Sequence, residues 1–271
     1  MMGIPFIQVD AFAGAQFTGN PAAVMLMPQW LPSAAMQAIA AENNLSETAF
    51  VVPCPDPDTA DFDLRWFTPT VEVALCGHAT LAAGHVVLDA VPAMQQVRFS
   101  TQRSGVLTVA RLGRDYVVAL PALPATAPDD RQAAVAAALG APVQQLWARG
   151  ADYLLAVLAD AASVRGLAPD FRAIEALAPG QDMMLIATAP GDTSDVVSRV
   201  FVPGGGIDED PVTGSAHAVL APYWSTRLGR SQFSAVQASP RGGQLAVTLA
   251  GNQVILAGGC RTIIRGEFFL D

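Results

Sequence analysis

The chain has 271 residues, 52% hydrophobic and 14% charged, so it can bury a sizeable core and is not disordered. Its net charge of −9 argues against nucleic acid and anionic membrane surfaces as partners. All 15 basic residues are arginine, and the absence of lysine excludes imine catalysis of the pyridoxal phosphate or aldolase kind, a Walker P-loop and the usual kinase lysine.

No apolar run approaches the roughly 18 residues a membrane span needs. The opening MMGIPFIQVDAF lacks a basic n-region and a long apolar region, so no secretory signal is expected. Cys54, Cys76 and Cys260 are odd in number and widely spaced, and read as reduced thiols of a cytoplasmic protein.

Short β-type runs alternate with Ala-rich helical ones. Residues 4–12, 22–27, 48–52 and 62–67 read as strands. Residues 33–41 read as a helix with Ser33 as N-cap, and 77–88 as a nearly all-apolar helix that must be buried on every side. Strands follow at 97–101, 106–110 and 116–120. Pro121–Pro128 carries three prolines without periodicity and reads as a linker. Helices are predicted over 130–139, 170–177 and 215–227. Strands are predicted at 153–158, 183–187, 197–202 and near 233–238, 244–249, 253–257 and 262–267.

A repeat runs through the two halves. Arg65, Phe67 and Pro69 recur as Arg199, Phe201 and Pro203, each 134 positions later. Arg103, Gly105, Leu107 and Val109 recur as Arg241, Gly243, Leu245 and Val247, each 138 later, and Gly77 matches Gly214, 137 later. The conserved order favours a duplicated unit, and two such units are expected to place a site in the cleft between them.

Two glycine-opened helices follow Cys76 and Thr213. A helix N-terminus presents unpaired N–H groups and partial positive charge, and so suits a carboxylate or the charge of an enolate-like transition state. The alternative is that Gly77 and Gly214 only permit tight turns. Glu47, at the mouth of an apolar strand, is a candidate base or an ordinary turn carboxylate. His78 is a candidate proton-transfer group, whereas His85 and His217 read as packing. Asp210 either orients a substrate amine or caps the following helix. Cys76 reads better as a small hydrophobe than as half of a two-thiol shuttle, because Pro211 and Thr213, its counterparts in the second half, are not cysteines. Gly204–Gly206 lacks dinucleotide-loop spacing and reads as a flexible loop, and no metal-binding motif appears.

Several motifs together resemble the PhzF-like phenazine biosynthesis protein family. They are VDAF at 9–12, GNPAAV at 19–24, NLSETAF at 44–50, RWFTP at 65–69, CGHATLA at 76–82 and EDPVTGSA at 209–216, all in family order. The resemblance implies an α/β (α+β) diaminopimelate-epimerase-like fold of two pseudo-duplicated domains, each a sheet around a central helix. These are placed at 1–114 and 115–271, with the last strand free to pair back onto the first domain. It also implies a cytoplasmic, cofactor- and metal-free isomerase acting on a small carboxylate, and a homodimer. By the same resemblance Glu47 is the acid/base, His78, Asp210 and Ser215 are its polar companions, and Gly77 supplies backbone N–H contacts. Cys76, Thr213 and Gly214 complete the substrate-binding candidates at the two helix ends. With Cys76 alone, a single-base shift at Glu47 is favoured over a two-cysteine racemase. An amino-acid racemase or epimerase, and a catalytically silent small-molecule binding protein, are the alternatives.

Overall fold

The computed structural model describes residues 2–270, with the Met2 side chain left aside. The chain divides into two units: residues through Ala119 together with those from Ala257 onward, and Leu120–Leu256. The first unit therefore extends past residue 114 and also takes in the C-terminal segment.

In the first unit the chain runs through β1 (Met2–Ala11), β2 (Asn20–Leu26), α1 (Ser33–Asn43), β3 (Glu47–Pro53) and β4 (Phe62–Phe67). It continues through β5 (Glu72–Val73), α2 (Gly77–Ala90), β6 (Gln96–Thr101), β7 (Val106–Leu112) and β8 (Asp115–Pro121). The second unit holds β9 (Ala127–Pro128), α3 (Gln132–Leu139), β10 (Gln145–Arg149), β11 (Tyr153–Val157), α4 (Ala161–Arg165) and α5 (Phe171–Glu175). Then come β12 (Met184–Pro190), β13 (Val196–Val202), β14 (Ile207–Asp210), α6 (Gly214–Leu228), β15 (Gln232–Gln237) and β16 (Gly243–Ala250). After β17 (Gln253–Gly258), β18 (Cys260–Leu270) pairs antiparallel with β1 in the first unit.

The duplication is visible in the pairing order. In the first unit β2/β3 is parallel, β3/β4 and β4/β5 are antiparallel, β4/β6 is parallel and β6/β7 is antiparallel. In the second, β11/β12 is parallel, β12/β13 and β13/β14 are antiparallel, β13/β15 is parallel and β15/β16 is antiparallel. The same succession is laid down twice.

The repeated Arg-x-Phe-x-Pro motif has one physical role in both copies. Arg65 forms a forked pair with Glu72 at 2.7 Å and lies over the Phe67 ring. Arg199 forms the same fork with Glu209 at 2.7 Å and lies over Phe201. Planar bidentate pairing holds the hairpin that leads toward each central helix. Glu72 and Glu209 are also 137 positions apart, the spacing that relates Gly77 to Gly214.

Helix α2 is buried from Gly77 to Leu88, as an all-apolar helix must be. It packs against β1, β2, β3, β6 and β7. Each fully buried aliphatic side chain such as Leu81 or Leu88 is worth about 1.5–3 kcal/mol. Gly84 permits a close approach to β7: a Cβ there would lie 2.4 Å from Val109 Cγ1. In α6, Pro222 cannot donate to the carbonyl of Ala218, and Leu123 N takes that acceptor at 3.0 Å.

Three local expectations change. Ser33 is the first helical residue rather than the cap; the cap position is Pro32, and the Ser33 hydroxyl accepts from Arg65 Nη2 at 2.9 Å. Pro121–Pro128 is not a loose linker, because Leu123 is tied to Ala218 and β9 pairs with β10. Gly204–Gly206 is not a plain loop: Pro203–Gly205 form a 3₁₀ turn. No helix among the described residues is long and apolar enough to cross a membrane.

Candidate active site

In the first unit, strand pairing and one helix end gather the site. Strands β2 and β3 run parallel with Ala22 opposite Glu47, so Asn20 and Glu47 emerge at the same end of the sheet. The start of α2 supplies Cys76, Gly77 and His78. Cys76, in the N-cap position, is extended and makes no capping bond, which leaves the first-turn N–H groups without a side-chain cap. Glu47 Oε2 lies 3.0 Å from His78 Nε2, off the direction of a well-formed hydrogen bond. On the other ring nitrogen, His78 Nδ1 lies 3.2 Å from Asn20 Nδ2 and 3.5 Å from Cys76 Sγ.

The electrostatics separate the two candidate proton carriers. Burial, reinforced by the Glu47 charge, pushes the Cys76 thiol up to about 11. It is therefore a neutral thiol near neutrality and a poor base there. Burial resists a charge on His78, but Cys76 and Glu47 outweigh it and raise the imidazole above its ordinary range. With Cys76 in its thiol form, Glu47 is the negative partner that draws a proton to the ring.

A carboxylate oxygen, a sulfur and a ring nitrogen of these three residues fall within 4.8 Å of one another, the one such grouping among the described residues. Yet Cys76 approaches Nδ1 and Glu47 approaches Nε2, and a single ion can use only one of these nitrogens.

The second unit gathers Asp210, Thr213 and Gly214 at the entry to α6, with Thr213 in the N-cap position but making no capping bond. Thr213 Oγ1 donates to Asp210 Oδ2 at 2.5 Å. Gln237, fully buried at the end of β15, locks this turn: its Oε1 accepts from Thr213 N at 2.8 Å, and its Nε2 donates to Asp210 O at 2.7 Å and to Thr213 Oγ1 at 3.1 Å. The backbone partners fix the amide's orientation, so its third bond directs the Thr213 hydroxyl proton to Asp210. Ser215, in the first turn of α6, has its hydroxyl 3.8 Å from Met184 Sδ. Burial pushes the nearby Tyr153 phenol up, and Ser215 partly offsets that.

The other two histidines do not join the proton-transfer candidates. His85 Nε2 pairs with Thr262 Oγ1 at 2.9 Å, on β18. His217 is fully buried and donates from Nδ1 to Thr213 O at 2.8 Å. Burial drives His217 down to about 4. The unfolded chain binds that proton near the ordinary value of about 6.5, so stability falls as pH drops from about 6.5 to about 4 and levels off below. The contribution is about 3 kcal/mol. Stability measured against pH should show His217→Asn with a shallower acid loss than wild type; identical slopes would contradict this.

Asn20 and Gln237 have no role in the sequence reading, since an uncharged amide in a strand pattern carries no signal of chemistry. Asn20 lies within the GNPAAV motif at 19–24; Gln237 is revealed only by its burial and its bonds.

A family model described as phenazine biosynthesis-like protein matches residues 9–266. An uncharacterized isomerase of Pseudomonas aeruginosa is 44% identical over 276 residues, covering 99% of this chain and 100% of the relative. A crystal structure of a phenazine biosynthesis protein of the PhzF family from Enterococcus faecalis is 43% identical, with a TM-score of 0.90 over 99% of this chain and 100% of that one. A hydroxyproline epimerase from Agrobacterium vitis shares the fold alone, at 11% identity and a TM-score of 0.61 over 98% of this chain and 92% of that one.

Proposed function

Because the chain belongs to the phenazine biosynthesis-like protein family, we propose that its isomerase chemistry is a single-base proton shift at Glu47 on a small carboxylate-bearing metabolite. The observation that carries this reading is the carboxylate of Glu47 set 3.0 Å from His78 Nε2, beside a thiol pushed out of the useful range. The carboxylate takes a proton from a substrate carbon next to an activating group, and becomes a carboxylic acid. The bonding pair left on carbon delocalises, and the acid returns its proton at another carbon on the same face. Atoms balance without a cofactor, and a neutral Cys76 leaves no second base of the racemase kind.

The first turn of α2, which its N-cap residue leaves without a side-chain cap, is the group proposed to hold the substrate's carboxylate. Within the second unit, Asp210, directed by Thr213 and Gln237, and Ser215 are proposed as polar groups for a substrate.

The test is solvent-deuterium incorporation, read by mass spectrometry, across small carboxylates that include dihydro-hydroxyanthranilate and both enantiomers of several amino acids. Incorporation at a migrating position, unchanged after exhaustive chelation, supports the reading. Exchange confined to an amino-acid α-carbon with inversion assigns a racemase instead, and activity lost on chelation and restored by a metal ion contradicts metal-free chemistry.

A further inference from the structure

The two ring nitrogens of His78 face opposite chemistry. At Nε2 the neighbour is an acceptor, the Glu47 carboxylate. At Nδ1 two donors converge: the Asn20 amide nitrogen at 3.2 Å and the Cys76 sulfur at 3.5 Å. An amide NH₂ can only donate, and a thiol that keeps its proton donates as well. A neutral imidazole between these partners accepts at Nδ1 and carries its proton on Nε2.

The Asn20 amide is itself steered. Ser46 Oγ donates to Asn20 Oδ1 at 2.9 Å, which turns Nδ2 toward the ring. Asn20 is fully buried at the first position of β2. The preceding Gly19 has φ of +85°, and a Cβ there would lie 2.4 Å from Ala11 O, so the backbone that delivers Asn20 has no room for a side chain.

We infer that Asn20, oriented by Ser46, is a positioning residue that selects the Nε2–H form of His78 and so keeps the ring proton on the nitrogen that faces Glu47. When the ring takes a second proton, Asn20 must present Oδ1 to Nδ1–H instead, and the Ser46 hydroxyl, able to donate or accept, permits that turn. The nitrogen facing Glu47 bears a proton in both charge states. His78 therefore supports the carboxylate and cannot take the substrate's proton through that nitrogen. The functional meaning rests on Glu47 as the base; the tautomer itself does not.

The experiment is long-range ¹H–¹⁵N NMR of the full chain labelled in histidine, across a pH series, with His78 assigned by its loss in His78→Gln. On the alkaline side of the His78 titration the ring is expected to show a protonated Nε2 and a bare Nδ1. Asn20→Asp, which offers only acceptors to the ring, is expected to abolish the bare Nδ1 signal. Ser46→Ala, which removes only the steering bond, is expected to mix the two neutral forms, and it decides the matter should Asn20→Asp fail to fold. A wild-type proton on Nδ1, or a folded Asn20→Asp or Ser46→Ala protein with the wild-type pattern, would overturn the inference. None of these readouts needs a substrate, so they stand apart from failure of the Glu47 assignment, which deuterium exchange reads.

Discussion

Glu47→Gln is expected to fold as the wild type does and to turn over about 10²–10⁴-fold more slowly, the range typical of a lost general acid/base. The substitution keeps the side chain's size and retains an oxygen that can accept from His78 Nε2. It removes the one property the reading requires, a carboxylate able to take and return a proton. The groups proposed to bind the substrate are left intact, so the loss is expected on kcat with KM little changed. The check is a steady-state rate on the substrate named by deuterium exchange, beside a thermal melt. A folded variant with near-wild-type kcat would remove Glu47 from the chemistry.

Glu209→Gln is expected to destabilise the protein by about 3–5 kcal/mol, because removing one partner of a buried ion pair leaves the other charge uncompensated. Arg199 and Glu209 are each only 10% exposed at their side chains, and Arg199 has in addition only the Leu167 carbonyl, at 2.7 Å, to satisfy it. The equivalent Glu72→Gln is expected to cost less, since Arg65, 12% exposed, keeps the Ser33 hydroxyl at 2.9 Å and the more open Glu72 side of the pair, 25% exposed, lets water reach the guanidinium. Denaturant titration of both variants measures the order. Equal losses, or a larger loss for Glu72→Gln, would show that the repeated pairs do not differ by burial.

Much of the fold is legible along the chain because periodicity tracks burial. The all-apolar run after Cys76 becomes the helix buried from Gly77 to Leu88, and strand β4 falls on residues 62–67 as its pattern predicts. What escapes is structure made by partners rather than by pattern. Strand β14 reads Ile-Asp-Glu-Asp, a poor strand sequence, and exists because β13 pairs with it and Arg199 grips Glu209. Strand β5 is two residues long and is held by the matching Arg65–Glu72 fork.

The site divides the same way. Glu47 and His78 are 31 positions apart, so spacing says nothing of their contact; the resemblance named both, and the parallel start of β2 and β3 explains how they meet. From sequence, the Cys76 thiol reads as packing because it lacks a partner cysteine. The structure adds an independent reason, a buried sulfur beside a carboxylate. The amides of Asn20 and Gln237 stayed silent because their importance lies in orientation, which only the surrounding donors and acceptors reveal.

The central claim, one carboxylate and no thiol moving the proton, is met most directly by measuring deuterium incorporation in wild type, Glu47→Gln and Cys76→Ala side by side. The account predicts exchange in the wild type and in Cys76→Ala, and its loss in Glu47→Gln. Exchange that survives in Glu47→Gln and vanishes in Cys76→Ala would contradict it.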